Sequence, residues 1–393
     1  MNNIYKWAID NKDWLIAVRR KFHMYPELTG KEYNTNLLIR QYLDELNVSY
    51  TAPADNITIA VLDSTNKSDV VTAIRSDTDA LAVNENTGLP FSSKNAGCMH
   101  ACGHDAHITM GLGAAKYFKE NPTSFLGTLK IIFQPAEEGG GGAQQVINTG
   151  LVNDVNAFFS LHVEPYLPTG KMSIKPGPNC AGTDRFKAMV YGVGGHAAHP
   201  DKCVDTVPAL AEIISAFQTI VSRKVSPMDN CVLSICNVHA GNTWNVIAGE
   251  AKLEGTIRTF SDDTQQKITS LMQKMVENIS AAHGCRGTLE VNNITIALIN
   301  DEKLTNIGID ASKTFLGEDA LINTPPAMIG DDFAMYRSIA PSCYGFLGVS
   351  SEESKNYPLH HQSFMLDENA LPIGTAWLAN CISIFSTKKE DLS

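Results

Sequence analysis

The chain has 393 residues, with 31 lysines and arginines against 42 aspartates and glutamates, for a formal charge of −11. With 44% hydrophobic and 19% charged residues it can bury a large core, which excludes disorder and collagen-like structure, and at roughly 100–200 residues per domain it predicts two or three domains. The acidic balance lacks the clustered cations of a nucleic-acid surface. No run of about 18 apolar residues suggests a membrane span, and Met1–Asn11 lacks a signal-peptide pattern, so no membrane partner and a cytoplasmic location are expected. Nine scattered cysteines read as free thiols, so any special cysteine is a ligand or a nucleophile.

In chain order, Asn3 to Met24 is apolar at Ile4, Trp7, Ala8, Leu15 and Val18, which predicts one helix or two joined near Asp10–Asp13, stopped by Pro26. Short apolar runs follow at Ile57–Leu62, Val70–Ile74, Leu129–Gln134 and Val155–His162, with a helix at Ile108–Glu120 between two of them. Runs apolar on both faces suit a parallel sheet covered by helices. After Gly182 the pattern changes. Arg185–Val193 alternates, Thr206–Lys224 is helical, Cys231–His239 and Ala251–Phe260 are strand-like, Asp262–His283 is helical and Gly287–Asn293 closes the set. The second of these helices carries Ile268, Leu271, Met275, Ile279 and Ala282 at spacings of three and four, with Gly284 just beyond. The order βαββαβ is that of a ferredoxin-like domain. Helical and strand patterns of the first kind return at Leu304–Leu316, Cys343–Leu347 and Ala370–Phe385, so the small domain, 184–294, is expected to interrupt an α/β domain made of 1–183 and 295–393.

The densest chemistry lies in Cys98-Met-His-Ala-Cys102-Gly-His104-Asp105-Ala-His107. Thiols and imidazoles are the donors that zinc-like ions prefer, and Cys102 and His104 can face one ion if the stretch is a loop entering a helix. Gln134-Pro-Ala-Glu137-Glu138-Gly139 follows a strand directly, where open α/β sheets gather their active sites, and adjacent carboxylates there can divide metal ligation from proton transfer. Its four glycines lack the Lys-Ser/Thr ending of a phosphate loop. His162 ends an apolar run, and His360-His361 stands in Pro358-Leu-His-His-Gln-Ser-Phe364. Cys102, His104, Glu138, His162 and one of the final pair make five donors, more than one tetrahedral site uses, which fits two metals sharing a ligand.

These motifs resemble the metal-dependent amidohydrolases that include aminoacylases, hippurate hydrolases, N-acetyl-diaminopimelate deacetylases and indole-acetyl-amino-acid hydrolases. The resemblance runs from Arg19-Arg-Lys-Phe-His23-Met-Tyr-Pro26-Glu27 through Arg75-Ser-Asp77-Thr-Asp79-Ala-Leu81, His100–His107, Gln134–Gly139, Gly194-Gly-His196-Ala-Ala198, Asn245-Val-Ile247 and Gly255-Thr-Ile-Arg258-Thr-Phe260 to His360. It implies a di-metal aminopeptidase-like catalytic domain interrupted by a ferredoxin-like lid that dimerises. It further implies two divalent ions, manganese or zinc, bridged by Cys102. Glu138 and His360 complete one site, and His104 and His162 the other. By the same resemblance Glu137 is the general base, Asp79 orients a ligand, His196 stabilises the oxyanion, in its own subunit or across a dimer, and Asn245 and Arg258 hold the substrate's carboxylate. Gln362, Ala248 and Asp201 depart from the usual proline, proline and histidine, which bears on substrate preference.

The expected reaction is hydrolysis of the amide of an N-acyl amino acid or short peptide by a homodimer or higher oligomer. Two other functions compete with it. One is a metal-free amidase with Cys102 as nucleophile, activated by His104 or His107, in which Glu138 and His162 would be idle. The other is a non-catalytic binding protein, against which the complete ligand set argues.

Overall fold

The computed structural model describes residues 3–139, 141–352, 354 and 357–392, so Gly140 of the glycine run lies outside it. By internal packing the chain divides into two compact units: Met1–Gly177, Ile299–Pro325 and Met335–Ser393 in the first, Pro178–Leu298 and Pro326–Ala334 in the second.

The first unit is built on a seven-stranded sheet. Across it lie Ser49–Ala54, Ile57–Asp63, Leu126–Gln134, Asn66–Asp77, Ala157–Pro168, Ser342–Ser350 and Met172–Ser173. The sheet is mixed rather than purely parallel: the four strands from Leu126–Gln134 to Ser342–Ser350 run parallel, while the outer ones pair antiparallel. The central strands are buried on both faces, as at Phe158 and Phe159, which explains their unbroken apolar sequence. Helix His104–Glu120 packs on Asn66–Asp77 and Leu126–Gln134 and is itself covered by helices Lys12–Met24 and Ala370–Leu392. Being enclosed, it is buried almost all round, which is why its sequence shows a weak stripe. The span Ala370–Thr387 is long and apolar enough to cross a membrane, but 83% of it is buried inside the protein as a core helix. Its Trp377 is fully buried and its indole N–H donates to the Gly308 carbonyl at 2.9 Å. Truncating such a residue costs about 3–5 kcal/mol.

The expected N-terminal segment is two helices, Asn3–Asp10 and Lys12–Met24. Helix Tyr33–Glu45 and edge strand Ser49–Ala54 have no counterpart in the sequence reading. The helix buries only Thr35, Asn36, Ile39 and Leu43, half of them polar, and the strand is mostly exposed, so hydropathy carries little signal for either.

In the second unit a four-stranded antiparallel sheet has the order Cys231–Ala240, Glu250–Thr259, Gly182–Tyr191, Arg286–Thr295. Helices Thr206–Arg223 and Asp262–Ala282 pack on it, so the elements run strand, helix, strand, strand, helix, strand. Glu250–Thr259 alternates strictly, sending Ala251, Leu253 and Ile257 into the core. Asp205 and Ser261 cap the two helices by accepting the N–H groups of Val207 and Thr264. In the second helix the fully buried row is Ile268, Met272, Val276 and Ser280, with Leu271, Met275 and Ile279 only half-buried beside it. The segment 326–334 joins this unit through Ala181, whose N–H is shared by the carbonyls of Ala327 and Ile329 at 3.0 and 2.9 Å.

Candidate metal centre

Three of the segments that carry the candidate ligands in the first unit meet where parallel strands end. Asn66–Asp77 runs into Asp79, Leu126–Gln134 into Glu137 and Glu138, and His162 sits within Ala157–Pro168 opposite Phe346. Outside the carboxyl ends of such strands backbone groups are unpaired and loops are free to carry chemistry. The fourth, the loop before helix His104–Glu120, turns at Gly103, whose φ of +84° is one that side chains with a Cβ avoid. That turn brings Cys102 and His104 to the same side.

The imidazoles are oriented by their second nitrogens. His104 Nδ1 donates to the Asp79 carbonyl at 2.9 Å, and His162 Nδ1 donates to the Val163 carbonyl at 2.8 Å. Each Nε2 therefore faces the cluster, the arrangement by which a hydrogen-bonded histidine presents itself to a metal. His162 Nε2 is 3.4 Å from Cys102 Sγ. Ligand atoms of Cys102, His104 and His162 all lie within 4.8 Å of one another, and so do those of Cys102, Glu138 and His360. The Cys102 sulfur belongs to both groups. Glu138 Oε1 is 3.1 Å from His360 Nε2. Of the final pair it is His360 that joins the group, while His361 stacks on Tyr357 at 4.7 Å. His360 adopts φ +66° and its N–H donates to the Ala101 carbonyl at 2.8 Å, tying its loop to the one bearing Cys102.

Two observations test whether these residues suit divalent ions. His104 Nε2 is buried without a hydrogen-bond partner, a costly state that a bound cation relieves. The donors are also chemically matched: one thiol, three imidazoles and a carboxylate. The residues fit two ions sharing the sulfur.

The electrostatics set the protonation that an ion must overcome. Burial, with the negative charges of Glu138 and Glu137, outweighs His104 and pushes the Cys102 thiol well above its ordinary value. Such a thiol is neutral at neutral pH and becomes a thiolate only beside a strong cation, so a metal-free cysteine nucleophile finds no support here. At His104 burial lowers the pKa, but Asp77 and Asp79 raise it well above the usual range, so an ion binding there displaces the ring's second proton.

Glu137 comes within the same 4.8 Å grouping as His104 and Glu138. Asp79, 1% exposed, accepts from the Thr29 hydroxyl at 2.8 Å and the Glu138 N–H at 2.9 Å, and its Oδ1 lies 3.2 Å from His104 Nδ1. Sequence reasoning gave Asp77 no role, and His107 only that of a possible activator of Cys102 in the metal-free alternative. Asp77 Oδ1 is 2.6 Å from His107 Nδ1, and His107 Nε2 accepts the Val163 N–H at 3.1 Å. With both nitrogens engaged, His107 is a support rather than a donor to an ion. Cys98, His100 and Asp105 also stand apart: burial pushes Cys98 up to about 11 and His100 down to about 4, while Asp105 binds Arg19 at 3.0 Å and His23 at 2.8 Å.

The other candidates belong to the second unit. His196 is exposed on the short strand Gly195–His196, opposite Val246, and its Nδ1 accepts the Ala198 N–H at 3.1 Å. Asn245 is exposed nearby, its carbonyl accepting the Ala197 N–H at 3.2 Å. Arg258 is half-buried on Glu250–Thr259 and bonds its own strand, at the Ile257 carbonyl (3.1 Å) and the Thr256 hydroxyl. Burial lowers its pKa, against the nearby charge of Asp184.

With this geometry in view, comparison with known proteins is direct. An N-acetylcysteine deacetylase of Bacillus subtilis is 36% identical over 366 residues, 93% of this chain and 95% of its own length. The IAA-amino acid hydrolase ILR1-like 4 of Arabidopsis thaliana is 35% identical, covering 93% of this chain and 84% of that protein. A solved Bacillus subtilis structure, described as a dinuclear metal binding peptidase of the M20 family, superposes with a TM-score of 0.85 at 33% identity, over 96% of this chain and 98% of that one. Residues 73–383 match peptidase family M20/M25/M40, and on that match, together with the length of the likenesses, this chain belongs to the M20 family of metallopeptidases and amidohydrolases.

Proposed function

We propose that the protein hydrolyses the amide bond of N-acyl amino acids, such as N-acetyl amino acids, or of short peptides, releasing a carboxylic acid and a free amino acid. The observation that carries this reading is the shared Cys102 sulfur, which lies within 4.8 Å of donor atoms from two separate groups. Relatives named as a deacetylase and an amino acid hydrolase support the substrate class.

In this reading two divalent ions, manganese or zinc, would be held by Cys102 together with His104 and His162 on one side and Glu138 and His360 on the other. Bound there, such ions supply Lewis acidity for the amide carbonyl and lower the pKa of water. Glu137 takes the proton of the attacking water and returns it to the leaving amine, while Asp79 keeps the His104 ring in its ligating orientation. His196, exposed on its turn, donates to the oxyanion in its own subunit or in a partner's. Asn245 and Arg258 hold the substrate's carboxylate. The βαββαβ unit would then act as a ferredoxin-like lid, and through it the protein forms a homodimer, or a higher oligomer, in the cytoplasm.

Dialysis against a chelator is expected to abolish turnover of an N-acetyl amino acid, and manganese, zinc or cobalt to restore it. Glu137→Gln should keep both metals and lower kcat by about 10²–10⁴, whereas Glu138→Gln should lose metal. Full activity after chelation, or equal metal loss in both variants, would overturn these assignments.

A further inference from the structure

The Glu137 side chain is presented by a turn, Pro135-Ala136-Glu137-Glu138-Gly139, that does not hold its own shape. Ala136 adopts φ +53°, a left-handed conformation that a residue with a Cβ takes only when its surroundings impose it. The surroundings are specific. The Ala136 N–H donates to Glu32 Oε1 at 3.0 Å, and Glu32 is fully buried. On the other side of Glu137, the Glu138 N–H donates to Asp79 Oδ2 at 2.9 Å. The amides flanking the candidate base are thus each held by a buried carboxylate.

Glu32 is in turn anchored to its own loop. The same Oε1 accepts the Gly30 N–H at 2.6 Å, and the Glu32 carbonyl accepts the Asn36 N–H and side-chain amide, both at 3.0 Å. Two further contacts fasten this loop to the turn. The Thr29 hydroxyl bonds Asp79 at 2.8 Å, and a Cβ on Gly139 would stand 2.2 Å from Thr29 Cγ2, so loop and turn touch as closely as glycine permits. Burying a carboxylate is unfavourable unless hydrogen bonds to it offset the lost hydration, as the Gly30 and Ala136 N–H groups do here. Here burial, reinforced by the charge of Asp79, raises the Glu32 pKa against the amides that lower it. An acceptor oxygen survives in either protonation state.

We propose that Glu32 is a positioning residue for hydrolysis: by accepting the Ala136 N–H it fixes the left-handed turn that aims the Glu137 carboxylate. The inference rests on Glu137 being the general base. Glu32→Ala removes the acceptor, whereas Glu32→Gln keeps an oxygen able to receive both the Gly30 and Ala136 N–H groups. Glu32→Ala is expected to lower kcat by about 30-fold or more with KM within about threefold and metal content unchanged, since proton transfer is steeply sensitive to geometry. Amide hydrogen exchange across residues 134–139, followed by mass spectrometry, should quicken in Glu32→Ala. Glu32→Gln should stay within about threefold of the wild type in kcat and keep the exchange slow.

Near-wild-type kcat in Glu32→Ala, unchanged exchange in the turn, or a Gln variant as impaired as the Ala variant would overturn the proposal. So would loss of metal in parallel with kcat, which marks a general structural defect. Glu137→Gln run alongside separates the two levels. If it leaves turnover intact, the base assignment fails and the aiming role with it, while exchange still reports whether Glu32 holds the turn.

Discussion

The left-handed turn at Gly103 makes a quantitative prediction. In Gly103→Ala, φ of +84° would cost about 1–2 kcal/mol, because the Cβ crowds the following carbonyl. The new Cβ would also stand 2.4 Å from Val163 Cγ2, far inside ordinary contact, and relieving such overpacking costs about 1–3 kcal/mol. The total of about 2–5 kcal/mol should appear in chemical denaturation as a lower midpoint at unchanged slope. Because the displaced Val163 follows His162 and carries the carbonyl that orients its ring, at 2.8 Å, one metal should also bind about 10–100-fold more weakly in chelator competition. Val163→Ala in the same chain should return the packing part but not the dihedral part, so the two changes should couple by about 1–3 kcal/mol in a double-mutant cycle. A Gly103→Ala protein with wild-type midpoint and metal affinity would refute the reasoning. So would a double variant whose losses simply add, since the clash would then not lie at Val163.

Glu85 gives a pH prediction. Burial raises its carboxyl, but the His23 hydrogen bond and charge, with Thr87 and the Ser93 N–H, outweigh burial and hold it at about 2 instead of 4.5. Its side chain is 4% exposed, so the shift corresponds to about 3 kcal/mol of stability, fully present above pH 5 and lost as pH falls from about 4.5 toward 2. The stability gap between wild type and Glu85→Gln in urea should therefore shrink by about half on going from pH 7 to pH 3, and a gap independent of pH would contradict the linkage. His196→Ala is expected to reduce kcat by about 10²–10³ with little change in KM, as an oxyanion contact forms mainly in the transition state, and wild-type kcat would remove that role.

Periodicity alone located most elements. The strand expected at Leu129–Gln134 is Leu126–Gln134, and the helix expected at Asp262–His283 is Asp262–Ala282. Such elements announce themselves because burial of one face or both leaves a repeating apolar mark. The helix Tyr33–Glu45 left none, since Thr35 and Asn36 fill part of its inner face and find polar partners there, as in the Thr58 hydroxyl donating to Asn36 at 2.9 Å.

The sequence by itself also determined the chemistry on offer: a thiol, histidines and paired carboxylates, in an order that resembles one family. Only tertiary structure decided which of them meet. Cys102 and His104 adjoin in sequence, but Glu138 reaches them from just beyond one strand, His162 from within another and His360 from a distant loop, and His360 rather than His361 turns toward Glu138. The supporting roles of Asp77, His107 and Glu32 became visible only through their hydrogen bonds. The physical reason is that metal affinity belongs to residue type, which a sequence spells out, whereas orientation depends on what lies behind each ligand. A buried carboxylate's partner is the backbone of a residue about a hundred positions away, and only the folded chain brings the two within hydrogen-bonding distance.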